Sequence, residues 1–199
     1  MAERRSPAAA FAGRFAAASE GGVLRLAELP FLTHVNVRAD PASPAAEDLG
    51  AVLGVPLPVE PCTAVQTGSG AGPGAASGAD DVTVAWLGPD EWLVIGPEGY
   101  RHELLRKALG DRHGSIVDVS AQRTTLLVSG PRARDLLAHG CALDLHPGVF
   151  GPGSCAQTML ALAQVVLLAR PDGFLVLVRS SFAAYLAEWL LDAATEHLG

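Results

Sequence analysis

The sequence predicts an α+β fold of two related halves, each a small antiparallel sheet covered by helices. Three observations predict it. Strand and helix patterns occur twice in the order strand–helix–strand–strand–strand–helix. A shift of 82 residues lays Pro89-Asp90 on Pro171-Asp172 and carries Leu93, Val94 and Ile95 onto Leu175, Val176 and Leu177. A chain of 199 residues, 49% hydrophobic and 18% charged, also holds enough apolar side chain to fill real cores.

Residues 1–20 read as a flexible tail, alanine-rich with Arg4, Arg5 and Arg14, and without the apolar segment of a secretory signal. The first half is expected over 21–112. Its leading strand is Phe31–Ala39, and Asp40-Pro-Ala-Ser-Pro breaks it. Ser43 as N-cap and Pro44 at the first helical position open a helix, Pro44–Leu53, that Gly54 ends. Leu49, Val52 and Leu53 form its apolar face. Cys62–Thr67 is a short strand, and the Gly, Ala, Ser and Pro run 68–80 a flexible loop. Strands 81–87 and 91–95 flank the turn at Gly88-Pro89-Asp90. A helix, Tyr100–Leu109, follows with Tyr100, Leu104, Leu105 and Ala108 at helical spacing.

The second half is expected over 113–199. Strands Ser115–Val119 and Thr124–Ser129 are rich in β-branched and apolar residues. Gly130-Pro131 opens a helix that buries Leu136 and Leu137. An irregular stretch, Leu143–Ser154, leads to strands near Cys155–Leu162, Val165–Ala169 and Phe174–Arg179. The last helix, Phe182–Thr195, places Phe182, Tyr185, Leu186, Trp189 and Leu190 on one face.

Composition removes several function classes. The net charge of −7 argues against nucleic acid, which needs clustered Lys and Arg. No apolar run reaches the roughly 18–20 residues of a membrane span. Cys62, Cys141 and Cys155 read as small buried hydrophobes, without CxxC spacing or a nearby His. The six histidines are scattered, none at the i,i+4 metal spacing, and read as surface or capping residues. No Gly-x-Ser-x-Gly elbow occurs. The run from Gly68 to Gly74 resembles a phosphate loop, but no helix follows to present its backbone N–H groups. Asp80-Asp81 and Asp90-Glu91 read as solvated acids, and Arg134-Asp135 as an exposed pair. Two α+β halves without a catalytic constellation suit a subunit of a larger enzyme.

Several segments carry a family resemblance. They are Trp86-Leu-Gly-Pro-Asp-Glu-Trp-Leu-Val, Val117-Asp-Val-Ser-Ala-Gln-Arg-Thr-Thr, Gly153-Ser-Cys-Ala-Gln-Thr after Phe150, and Val178-Arg-Ser-Ser-Phe-Ala-Ala-Tyr-Leu. Over roughly residues 20–195 the chain resembles the gamma-subunit family of heterotetrameric sarcosine oxidases. It is more distantly similar to the folate-binding domain of the glycine-cleavage aminomethyltransferase family, whose rhythm Val117-Asp-Val-Ser, Val128-Ser-Gly-Pro and His146-Pro-Gly follow. That family keeps a catalytic Asp on a longer hairpin; the matching stretch here, Ala161–Leu168, has no carboxylate. The resemblance implies an inherited folate-binding scaffold that has lost its chemistry.

It further implies a non-catalytic gamma subunit beside alpha, beta and delta subunits, in a cytoplasmic complex that demethylates sarcosine oxidatively. Glycine and hydrogen peroxide would be its products, with the one-carbon unit passed to tetrahydrofolate. FAD, FMN, NAD and zinc would belong to the partner subunits. A free-standing tetrahydrofolate-binding one-carbon protein is the alternative. Expected interface residues on this chain are Phe11, Arg14 and Phe15 in the tail, and Arg123 at a strand start. Arg123 could meet a carboxylate across a subunit boundary or lie exposed at the strand edge.

Overall fold

A computed structural model describes residues 4–67 and 81–197. The loop expected at 68–80 lies outside the described residues. The chain divides into two compact units, Phe31–Ser120 on one side and Met1–Pro30 with Ala121–Gly199 on the other. The boundary expected at 112/113 is therefore displaced, and the N-terminal segment belongs with the C-terminal half. Strand pairing explains the division.

In the unit Phe31–Ser120, β2 (Thr33–Arg38), β3 (Ala64–Gln66), β4 (Thr83–Gly88), β5 (Glu91–Gly96) and β6 (Ser115–Asp118) form a sheet of order β3-β4-β5-β2-β6. In the other unit, β1 (Arg25–Leu29), β7 (Arg123–Ser129), β8 (Cys155–Leu160), β9 (Ala163–Arg170) and β10 (Gly173–Arg179) give β1-β7-β10-β9-β8. All the pairings are antiparallel, and the two orders match strand for strand. The edge strands are exchanged in sequence. The strand before β2, β1, pairs with β7, and the strand before β7, β6, pairs with β2. Each sheet thus takes one edge from the other half of the chain, so no single cut in sequence separates them.

The repeat has a definite register. Buried Trp92 and Val94 correspond to Phe174 and Val176, the expected offset of 82. In the leading strands, buried Val35 and Val37 correspond to Leu126 and Val128, an offset of 91. In the closing helices, α3 (Glu103–Leu109) and α5 (Ala183–Ala194), buried Leu105 and Leu109 match Leu186 and Leu190, an offset of 81. The expected pairing of Leu104 with Leu186 is one residue off, and Leu104 is exposed. Tyr100 stays outside α3. Its ring lies over Gly96, where an added Cβ would come within 2.8 Å of it.

Helix α2 runs Pro44–Leu53, as expected. Gly54 closes it in the left-handed region at φ 76°, a conformation that favours glycine. Ser43 has the extended backbone of an N-cap, but its hydroxyl donates to the Asp40 carbonyl instead. Ala45, Ala46, Leu49 and Leu53 face the core, while Val52 points outward. On α5 the buried face is Ala183, Leu186, Ala187, Leu190, Leu191 and Ala194; Phe182 and Tyr185 are exposed, and Trp189 is half-buried. Helix α4 (Ala133–Ala138) buries Leu136 and Leu137 as its spacing suggests.

The segment expected as a flexible tail is instead tied down, by hydrogen bonds from Ser6 and Ala8 and by helical structure that begins at Ala9. Helix α1 (Ala12–Ala18) drives Phe15 into the core formed by Leu126, Val128, Phe174 and Val176, leaving it 2% exposed. Glu28 on β1 accepts from the Ser6 hydroxyl, the Ala8 N–H and the Thr124 hydroxyl. Ser19 donates to the Phe15 carbonyl and accepts from the Leu26 N–H. A buried aromatic and this hydrogen-bonded carboxylate order the segment despite its alanine-rich composition.

Candidate functional site

The segments that carry the family resemblance are first of all structural. Trp86-Leu-Gly-Pro-Asp-Glu-Trp forms the β4–β5 hairpin, with Trp86 opposite Trp92 and a register shift before the turn. Trp92 is fully buried, and its indole N–H donates to the Pro58 carbonyl at 2.7 Å. Both guanidinium–carboxylate contacts of Arg38 to Asp90, at 2.7 and 2.9 Å, clamp the turn. The Arg38 hydrogen bond holds the Asp90 carboxyl below the usual carboxylate range.

Val117-Asp-Val-Ser closes β6. The Asp118 carboxylate accepts from the Ser120 hydroxyl at 2.6 Å and from the Ser120 N–H at 2.9 Å. The Ser120 oxygen in turn accepts from the His34 N–H at 2.9 Å, tying the turn to β2. Hydrogen bonds from Ser120 lower the Asp118 pKa. The arrangement is a side-chain-stapled turn. His34 itself is buried, against the surface position expected for it, because β2 is an inner strand, between β5 and β6.

Other expectations are corrected here as well. Cys141 and Cys155 are buried, but Cys62 is exposed at φ 62°, in a turn before β3. Asp135 pairs with Arg132 at 2.9 Å, not with Arg134. Arg134 turns back to donate to the Phe150 carbonyl at 3.0 Å and to the Leu145 carbonyl, with its guanidinium 4.9 Å from the Phe174 ring. Among the described residues no group of three His, Cys, Asp or Glu could hold a metal ion. No described helix is long and apolar enough to cross a membrane.

Of the expected interface residues, Phe15 is withdrawn into the core. Phe11 is half-buried against that core, with its ring 6.3 Å from Phe15. Arg14 is exposed and makes two hydrogen bonds to Glu188, at 2.6 and 2.8 Å. Arg123 is placed differently. It starts β7 and lines a cavity of about 470 Å³ together with residues from β8, β9 and β10.

Strand register shows what builds this cavity. On the face of the sheet away from α5, Arg123 pairs with Arg179, and Met159 with Gln164. The register that sets Val178 against Val165 places Arg179 beside Gln164. One transverse row, Arg123–Arg179–Gln164–Met159, thus crosses four strands at the sheet's end. The next row is Thr125–Leu177–Val166–Gln157, of which Leu177, Val166 and Gln157 line the cavity. At the tip of the β8–β9 hairpin, Leu162 is 74% exposed, and its N–H donates to the Tyr185 hydroxyl at 3.2 Å. Phe182 meets Tyr185 edge-on at 6.4 Å. Sequence reasoning found Arg123 and missed Arg179, Gln164, Met159 and Leu162. Period-two alternation is the only local signal for them, and register across four strands is needed to join them.

No carboxylate, histidine or thiol is among the described residues lining this cavity. Arginine remains protonated and glutamine does not titrate, so these groups can bind an anion but cannot take up a proton. A second concavity, of about 480 Å³, runs along α2 between Pro41 and Val59, with Glu47 as its one titratable group among the described residues.

Comparison with known proteins gives this geometry a context. The model of the "Sarcosine oxidase, gamma subunit family" matches residues 37–196. The chain is 41% identical over 196 residues to a sarcosine oxidase subunit gamma from Arthrobacter sp., covering 97% of this chain and 91% of that one. It is 39% identical over 195 residues to the subunit gamma of Corynebacterium sp. strain P-1, with the same coverage. Among solved structures it matches a chain of the heterotetrameric sarcosine oxidase from Corynebacterium sp. U-96 in complex with pyrrole 2-carboxylate. That match has a TM-score of 0.86 and 35% identity, covering 98% of this chain and 97% of that one. The aminomethyltransferase T of the glycine cleavage system from Bartonella henselae shares the fold, at TM-score 0.62 and 18% identity over 85% of this chain and 46% of that one.

Proposed function

This chain belongs to the sarcosine oxidase gamma subunit family, and from that premise we propose that it is a structural, non-catalytic subunit of a heterotetrameric sarcosine oxidase. The assembly oxidises sarcosine to glycine in the cytoplasm, passes electrons to oxygen to give hydrogen peroxide, and delivers the one-carbon unit to tetrahydrofolate. FAD, FMN, NAD and zinc are held by alpha, beta and delta subunits. This chain contributes surface to the assembly, and Phe11, Arg14 and Arg123 are candidate contacts on it.

The observation that carries this reading is similarity to gamma subunits along nearly the whole chain. The hairpin chemistry agrees with it. The Ala161–Leu168 stretch, where the aminomethyltransferase relatives are expected to keep an acid, offers Gln164 as its polar side chain. Glutamine hydrogen-bonds but holds no transferable proton at neutral pH. The aminomethyltransferase fold is therefore read as a scaffold, with no proton-transfer step assigned to this chain.

Co-purification tests the proposal. Tagged chain expressed with the products of its neighbouring genes is expected to recover a large flavin-bearing chain in fixed stoichiometry. Recovery of this chain alone, soluble and monodisperse, would overturn the proposal. A calorimetric titration of the isolated chain with tetrahydrofolate is expected to show no heat of binding.

A further inference from the structure

We propose that the groove between helix α2 and the segment 55–59 docks part of a different subunit, one that carries an apolar side chain beside a lysine or arginine. The inference rests on the gamma-subunit reading and names where an assembly contact lies.

The groove is built from the backbone outward. Gly54, in the left-handed region at φ 76°, turns the chain back along α2. Gly50 lets the returning segment lie close, since an added Cβ there would come within 3.2 Å of the Val55 carbonyl oxygen. That segment is held three times over. Pro56 and Pro58 fix their φ angles, Leu57 is buried in the core of this unit, and the Pro58 carbonyl accepts the Trp92 indole N–H. Val59 leaves this pinned backbone 68% exposed, and exposed Ala51 and Pro56 line the same groove. The space is about 480 Å³, and Glu47 is the one polar side chain among the described residues lining it. A small-molecule site orients its ligand with several convergent polar groups, whereas apolar anchors with a charged edge suit a protein segment. Small side chains on a fixed backbone also lose little freedom on docking.

Charge names the occupant. Residues 39–100 hold nine acids and no Lys, Arg or His. Asp48 is paired with Arg112, and Asp90 with Arg38. Glu47 in the groove and Glu60 next to Val59 are exposed and make no ion pair among the described residues. The unit Phe31–Ser120 has twelve acids against five Lys and Arg, while the rest of the chain has nine of each. The whole net charge of −7 therefore lies in the unit that holds the groove. A negative potential over an apolar groove selects a segment with a cation beside its apolar anchor. The partner is a different chain, since a two-fold contact between copies of this groove would set Glu47 against Glu47.

The test uses the whole complex, with the tagged full-length chain co-expressed with its partner subunits. Glu47→Lys and Val59→Asp are each expected to lower recovery of the partner chains by about tenfold or more, and Val59→Ile to keep it within about twofold. Amide exchange on wild type gives a reading that no misfolded variant can disturb. Residues 47–57 are expected to exchange about tenfold slower or more in the complex than in the full-length chain alone. Wild-type recovery by both Glu47→Lys and Val59→Asp, or equal exchange with and without partners, would overturn the inference and leave the proposed function standing. Loss with only one of the two substitutions would overturn the pairing of an apolar anchor with a cation. A chain that dimerises alone, and that Val59→Asp returns to monomer, would overturn the different partner in favour of a second copy. A wild-type chain that recovers no partner would overturn the proposed function and this inference with it.

Discussion

The two sheets have the same strand order, yet the chain finishes them by different means. The unit Phe31–Ser120 closes with the seven-residue helix α3, which buries Leu105 and Leu109. The other unit closes with the twelve-residue α5, which buries six residues, and adds the N-terminal segment against the same core. The first unit spends its polar side chains on turns, as in Arg38–Asp90 and Asp118–Ser120. The second sets Arg123 across from Arg179 at the end of its sheet and holds Leu162 exposed at the tip of the β8–β9 hairpin.

Removing the extra cover gives the largest effect that this contrast predicts. Phe15→Ala deletes a ring that is almost completely buried and leaves a cavity in the core it shares with Phe174 and Val176. The expected loss is about 3–5 kcal/mol. Denaturant melts of the isolated chain check it. A loss below about 1 kcal/mol would restore the reading of residues 1–20 as a tail.

Arg134→Ala ranks next. It removes hydrogen bonds to two carbonyls in the 145–150 connection and the guanidinium packed on Phe174. The expected cost is about 1.5–3 kcal/mol. Amide exchange should be faster at residues 145–150 and unchanged in the unit Phe31–Ser120. Equal acceleration in both would show that the two units do not open separately.

What was legible in the sequence follows the range of the interactions. Helix α2 could be read to its end residues because Ser43, Pro44 and Gly54 act within a turn of the backbone. The hairpins could be read because Pro89-Asp90 and Pro171-Asp172 each set a local reversal. Helix α1 and β1 could not, since what orders them is far along the chain: Phe15 joins a core built from β7, β10 and α5, and Glu28 accepts from Thr124. The candidate surface was legible only at Arg123. Its companions Arg179 and Gln164 lie in strands whose buried runs hide the alternation, and cross-strand register decides which neighbours meet.

Ser120→Ala probes the unit Phe31–Ser120 with a smaller effect. The hydroxyl links Asp118 to the His34 N–H, and its loss is expected to cost about 1 kcal/mol. The Asp118 carboxyl, lowered chiefly by that hydroxyl, should return upward toward the usual carboxylate range. The sign is that of a depressed acid. Its contribution is present above the unfolded-state value and lost as pH falls through the folded one. Wild type should therefore lose more stability than the variant on acidification below about pH 4, as paired melts would show.

The smallest expected effect separates two ways of holding the N-terminal segment. Arg14 and Glu188 form a well-aligned pair, but their side chains are 54% and 59% exposed. Water and salt screen such a pair, and both long side chains must be ordered to make it. Arg14→Gln should leave the denaturation midpoint unchanged within error, in contrast to Phe15→Ala one residue away. The pair is still visible to titration. The Arg14 hydrogen bond lowers the Glu188 pKa, so carbon-detected NMR should find it moving up toward the ordinary range in the variant. A large fall in midpoint for Arg14→Gln would mean that charge, and not the buried ring, anchors the segment. A Glu188 titration that does not move would mean the contact does not form in solution. The expected pair of results, a shifted pKa with an unshifted midpoint, assigns the anchoring to Phe15 and leaves Arg14 free to exchange Glu188 for another carboxylate.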